Sequence, residues 1–132
     1  MKSNITDYEA ACTFLERDPH ALPDVSRLPV DEREYVIANY KLTVIAKAIN
    51  KEALGKEYRP DYTNNTEYKY NAAWWVKATK EKPAGSGFSF AICDYWHTSA
   101  HVGSRLCFPS SELALYFAEN FQDLHIKNQL FP

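Results

Sequence analysis

The side chains that could do chemistry are concentrated between Lys69 and Cys107. Cysteine and histidine recur there as Cys93-x3-His97-x3-His101, and both residue types bind zinc. Zinc needs four such ligands around one point, whereas positions i and i+4 of a strand lie about 13 Å apart. Only His97 and His101 are placed to converge, at a turn. We therefore expect no metal site and no other cofactor.

The thiols of Cys93 and Cys107 raise the question of nucleophilic catalysis. A thiol nucleophile needs a neighbouring base, and His97 would share a strand face with Cys93 without being its adjacent partner. This arrangement favours a protein that is not an enzyme. Cys93 and Cys107 could also face each other at a disulfide-compatible distance, but three scattered cysteines are typical of a reduced, intracellular protein.

A broader pattern predicts a basic and aromatic sheet face. The alternation after residue 67 predicts strands whose even-numbered side chains, such as Phe90, face the core. Cations interleaved with rings suit single-stranded nucleic acid, because rings stack on bases and cations neutralise phosphates. Alternatively, helices or a second copy of the chain cover this face. The odd-numbered face comprises Lys69, Asn71, Trp75, Lys77, Ser89, Cys93, Tyr95, His97, Arg105 and Cys107.

Asp94 interrupts this alternation, because it would point towards the core. A buried carboxylate must be paired or hydrogen-bonded. Two interpretations remain open. Asp94 lies near the strand end and reaches water, or it pairs with a helix residue such as Lys41 or Lys47.

Capping signals predict the helices that precede the strands. Residues 6–9 (Thr-x-x-Glu) and 31–34 (Asp-x-x-Glu) have the spacing of a capping box, in which two side chains satisfy free backbone amides. They predict one helix over about residues 7–16 and a longer helix over about residues 32–54. Gly55 is a natural end for the second helix.

The remaining elements complete one α+β domain over residues 1–132. The hydrophobic period changes from 3.6 to 2 at about residue 67, which predicts three strands, and Ser110 then predicts the start of a last helix. The expected fold is a three-stranded antiparallel β-meander with helices packed on it, in the order α-α-β-β-β-α. A chain of 132 residues is a usual size for one domain.

Composition and charge exclude several classes of protein. Fifteen basic and seventeen acidic residues give a formal charge of −2, which argues against a polybasic nucleic-acid binder. No run of eighteen apolar residues predicts a membrane-spanning helix, and the first residues do not resemble a secretory signal. We expect a cytoplasmic protein that does not associate with a membrane.

Two segments carry a resemblance to known sequences. Residues 40–50 (YKLTVIAKAIN) are followed by Arg59-Pro60-Asp61, and residues 102–108 (VGSRLCF) are followed by Glu112-Leu113-Ala114. Together they resemble short uncharacterised proteins of gut bacteria and of their phages and prophages. The resemblance covers about residues 7–123 and implies an origin in a mobile element, but it implies no activity.

The aromatic content favours a binding function. The chain has nineteen Phe, Tyr and Trp residues, more than a core of this size readily hides, and such residues are enriched in protein interfaces. We therefore expect a protein-binding or self-associating module with Tyr58, Tyr62, Trp75 and Tyr95 as contact residues. The alternative is single-stranded nucleic-acid binding through Lys69, Trp75, Lys77, Tyr95 and Arg105.

Overall fold

The computed structural model describes all 132 residues with the exception of the Phe90 side chain, whose expected inward direction lies outside what is described. A short 3₁₀ helix at Ser104–Leu106 accompanies the helices and strands. These elements are α1 (Tyr8–Phe14), α2 (Val30–Leu54), β1 (Lys69–Lys77), β2 (Gly87–Trp96), α3 (Ser111–Asn120) and α4 (Gln122–Gln129).

The helix ends lie close to the predicted ones. Asp7, rather than Thr6, caps α1, because its carboxylate accepts a hydrogen bond of 2.7 Å from the Ala10 N–H. The helix α2 begins after Pro29, whose fixed φ suits helix entry, two residues before the predicted start. It ends at Gly55, which adopts the left-handed conformation with φ 72°. Ser110 caps α3 as predicted.

A single apolar core joins the helices and the sheet. The buried face of α2 contributes Leu42, Ile45 and Ile49, and it packs against α1 and the C-terminal helices. Phe108 and Phe117 are fully buried at the centre, with their ring centroids 4.9 Å apart. Because most residues of α2 between Leu42 and Asn50 are buried, this helix organises the fold.

The predicted α+β class is confirmed, and so is the order α-α-β-β-β-α, in which the extended segment at Phe108 is the third strand and α3 with α4 forms the last helical part. One detail differs from a meander. The third extended segment bonds to β1 through a bridge between Phe108 and Tyr70, not to β2. Pairing there is short because a 3₁₀ turn occupies Ser104–Leu106 on one side of Phe108, and α3, capped by Ser110, begins at Ser111 on the other.

The register corrects the expectation that odd-numbered residues form one face. Tyr70 lies opposite Tyr95 and Ala72 lies opposite Cys93, so even-numbered residues of β1 share a face with odd-numbered residues of β2. Tyr70, Ala72 and Cys93 pack together against the core. A bulge between Trp74 and Val76 changes the pairing again towards the hairpin turn. The predicted odd-numbered face is therefore divided between two sides of the sheet.

Candidate functional site

The outer edge of β2 is not paired with another strand among the described residues. Tyr70 exchanges both backbone hydrogen bonds with Phe108, at 2.9 and 2.8 Å, so its polar groups point away from β2. The opposed pair Tyr70–Tyr95 is therefore not hydrogen-bonded, and alternate residues of β2 follow the same rule. It follows that the backbone N–H and C=O groups of Ala91, Cys93 and Tyr95 point outwards, where the described chain places no further strand.

Asp94 occupies part of this edge. Its side chain is exposed, and its Oδ1 accepts a hydrogen bond of 2.9 Å from the Tyr95 N–H. Of the two sequence-based interpretations, the structure selects the one in which the carboxylate reaches water. Lys47 instead forms a salt bridge with Glu57, and Lys41 lies over the ring of Tyr8.

An aromatic cluster of Tyr68, Tyr95 and His97 stands beside the same edge. The ring centroid of Tyr68 lies 4.9 Å from that of Tyr95 and 4.5 Å from that of His97, and both ring pairs have edge-to-face geometry. Tyr95 is 54% exposed, and Tyr68 is also exposed although the alternation predicted an inward side chain. This aromatic cluster presents apolar surface directly beside unpaired backbone groups.

Trp75 is exposed at the other end of the hairpin. Its side chain is 61% exposed, next to the bulge in β1, and Ser89 Oγ donates a hydrogen bond to its carbonyl oxygen. The adjacent Val76 is exposed as well. Trp75 therefore has the exposure expected of a contact residue, but it is separated from Tyr95 along the hairpin.

Lys69 is buried, which contradicts its expected place on a binding face. Its side chain has an exposure of 0%, and its Nζ donates to the carbonyl oxygens of Asn64 (3.0 Å) and His97 (2.5 Å). Glu67 lies 3.6 Å away, and the ring of Tyr62 lies beneath the ammonium group. A buried ammonium group needs such acceptors, so Lys69 ties two loops to the start of β1.

Tyr58 and Tyr62 are half-buried on the side of the sheet near Cys107. The Tyr62 hydroxyl lies 3.4 Å from Cys107 Sγ, and burial raises the pKa of Tyr62 to about 12. Burial also raises the pKa of the Cys107 thiol, which donates a hydrogen bond to the Gly103 carbonyl. This thiol is held protonated, a poor state for a nucleophile.

The remaining basic candidates, Lys77 and Arg105, are exposed but lie apart. Lys77 ends β1, and Arg105 belongs to the 3₁₀ helix. With Lys69 buried, the structure does not bring the predicted nucleic-acid residues together on one surface. Among the described side chains, no group of three or more His, Cys, Asp or Glu is placed to hold a metal ion.

Sequence reasoning missed two features. Alternation predicts that Tyr68, at an even-numbered position, faces the core. Asn50 lies among the apolar residues of α2, so the sequence pattern does not single it out. Asn50 is buried, and its Nδ2 donates a hydrogen bond of 2.9 Å to the Cys107 carbonyl oxygen. An amide among Ile45, Ala48 and Ile49 is the one signal that could have identified it.

Two further observations concern membrane-spanning helices and similarity to known proteins. None of the described helices, including the 25-residue α2, is both long and apolar enough to cross a membrane. No protein-family model, curated protein or solved structure matches the chain.

Proposed function

We propose that this protein is a non-enzymatic binding module that self-associates through the outer edge of β2. The observation that carries the proposal is the row of outward backbone groups at Ala91, Cys93 and Tyr95, in a ten-residue strand that has no neighbouring strand on that side within the described part of the chain. An edge strand of this length is a template for pairing with another chain.

A second copy of the same chain is the partner that fits this edge. The three outward residues are spaced evenly about Cys93, so an antiparallel copy related by a two-fold axis there pairs Ala91 with Tyr95 and Cys93 with its own equivalent. Such an interface uses the same surface on both subunits, as two-fold dimers do. The result is a continuous sheet in which the strands follow the order β1-β2-β2-β1.

The aromatic cluster supplies the apolar part of the contact. Tyr68 and Tyr95 flank the edge and lose exposed area when a second strand arrives. Large aromatic residues dominate interface energetics, whereas backbone pairing fixes register and orientation. Tyr95, on β2 itself, is thus the best supported of the candidate contact residues, whereas Trp75 belongs to β1, which lies on the other side of β2 from this edge.

The biological setting that we propose rests on the sequence resemblance of residues 7–123 to proteins of gut bacteria and their phages. We place the protein in the cytoplasm as an accessory protein of phage or prophage type. Its partner is another copy of itself, not nucleic acid, because Lys69, one of the cations of the candidate nucleic-acid face, is buried.

Sedimentation equilibrium over a wide range of protein concentrations tests the proposal. We expect a monomer–dimer equilibrium that Ala91→Pro shifts towards monomer, because proline removes one outward N–H while every bond to β1 is kept. Ala100→Pro, in the exposed turn after β2, is the matched control and should leave the equilibrium unchanged. A monomer at all concentrations, or tight binding to a single-stranded oligonucleotide that falls steeply with salt, would refute the proposal.

A further inference from the structure

A basic cleft lies apart from the hairpin edge. It has a volume of about 330 Å³, within the range of small-molecule sites, and it is formed by α2, the loop after α2 and the 3₁₀ helix. Its charged lining residues are Lys47, Glu57, Arg59 and Arg105.

The cleft has an excess of positive charge. Glu57 accepts from both Lys47 (3.2 Å) and Arg59 (3.1 Å), and these two cations lower the pKa of its carboxyl, so it is ionised at neutral pH. Arg105 has no salt bridge with any described residue. Three cations against one carboxylate leave two positive charges, which match a phosphate monoester near neutral pH. Arginine is suited to this group because its planar fork binds two phosphate oxygens.

Asn50 adds an unused acceptor at the base of the cleft. Its side chain is 4% exposed, and its Nδ2 is held by the Cys107 carbonyl. The other end of the amide, Oδ1, is buried without a hydrogen-bond partner among the described residues. Tyr58 also lines the cleft, and its hydroxyl is likewise buried without a hydrogen-bond partner among the described residues. Buried polar atoms are normally paired, so both favour a polar occupant.

We infer that this cleft binds the phosphate monoester of a small hydroxylated molecule. Arg105 and Arg59 hold the phosphate, and a ligand hydroxyl donates a hydrogen bond to Asn50 Oδ1. The phosphate supplies the charge and the hydroxyl supplies the donor, so neither group alone satisfies the site. This inference is independent of self-association, because no lining residue of the cleft belongs to β2.

Isothermal titration calorimetry with matched probes tests both parts of the site. The probes are glycerol 3-phosphate, propyl phosphate, which has the same carbon chain without hydroxyls, inorganic phosphate and glycerol. At low ionic strength and pH 8 we expect glycerol 3-phosphate to bind at least tenfold more tightly than propyl phosphate or inorganic phosphate. Glycerol should give no measurable heat.

Variants connect the binding to the cleft. Arg105→Ala should weaken glycerol 3-phosphate binding at least tenfold, whereas Arg27→Ala, an exposed arginine in another loop, should not change it. Equal affinity for propyl phosphate and glycerol 3-phosphate would overturn the role of Asn50 and with it the inference. Absence of binding by any probe, or an unchanged affinity in Arg105→Ala, would also overturn it.

Discussion

Asn71 and Asp94 lie directly opposite each other across the β-hairpin, and each side chain bonds to the backbone of the residue that follows it. Asn71 Nδ2 donates to the Ala72 carbonyl at 3.2 Å, and the Tyr95 N–H donates to Asp94 Oδ1 at 2.9 Å. Ala72 and Tyr95 both direct their backbone groups away from the partner strand. The pair therefore caps one backbone group on each outer edge of the hairpin.

Removal of the Asp94 cap should strengthen self-association. Charged side chains at an edge oppose pairing with another strand, and Asp94 also occupies the Tyr95 N–H that a second copy needs. We expect Asp94→Ala to lower the dimer dissociation constant severalfold in sedimentation equilibrium. Asp123→Ala, an exposed acid on α4, is the control for loss of one negative charge. Weaker association of Asp94→Ala would contradict the role of this edge.

The two exposed aromatic candidates should behave differently. Tyr95 adjoins the outward backbone groups, whereas Trp75 lies at the bulge near the hairpin turn. Tyr95→Ala should raise the dimer dissociation constant about tenfold, the effect of losing about 1.4 kcal/mol from an interface. Trp75→Ala should leave it unchanged in the same sedimentation measurement. The reverse order of effects would place the interface at the hairpin turn instead.

Lys69 should be a determinant of stability. Lys69→Met keeps most of the side-chain volume but removes the charged donor to the carbonyl oxygens of Asn64 and His97. We expect the free energy of unfolding in urea to fall by about 3 kcal/mol, the scale for loss of hydrogen bonds from a buried charged donor. Lys77→Met, at an exposed position, should change it by less than about 0.5 kcal/mol. A fall as small as in Lys77→Met would show that Lys69 is not held as described.

Stability should decrease in acid because of His125. Its ring packs against Trp74 and Phe117, its Nε2–H donates to the Phe117 carbonyl, and burial lowers its pKa to about 4. The folded state thus favours the neutral imidazole. The contribution of His125 to the free energy of unfolding is therefore complete above the unfolded-state pKa near 6.5, and it is lost as the pH falls towards 4. The loss amounts to about 3 kcal/mol.

Urea unfolding at a series of pH values between 7 and 4 measures this effect. His125→Gln cannot titrate, so its free energy of unfolding should vary much less with pH over the same interval. Equal pH dependence in the two proteins would assign the acid sensitivity to other groups.

The sequence predicts the features of this fold that depend on neighbouring residues. Gly55 and Ser110 mark helix ends because their effects on backbone conformation and hydrogen bonding are local. The existence of β1 and β2 follows from alternation in the same way.

The register of the strands and the segments that cover each sheet face depend on residues far apart in the chain. Alternation along the sequence does not predict them. The pairing of Tyr70 with Tyr95 depends on the length of the hairpin connection and on the bulge, neither of which alternation determines. Alternation also assigns Lys69 to a face without showing that loops cover that face. As a result alternation misplaces Lys69, whereas Trp75 and Tyr95, which are expected as contact residues, are exposed.

Hydrogen exchange of individual backbone amides, followed by NMR, shows whether the outer edge of β2 pairs with a second copy. The N–H groups of Ala91 and Cys93 point outwards, whereas those of Ile92 and Asp94 face β1. At low protein concentration, Ala91 and Cys93 should exchange quickly and their two neighbours slowly. At high concentration, we expect strong protection of the amides of Ala91 and Cys93. In Ala91→Pro, the protection of the Cys93 amide should be lost. Rapid exchange of both amides at every concentration would contradict self-association through β2.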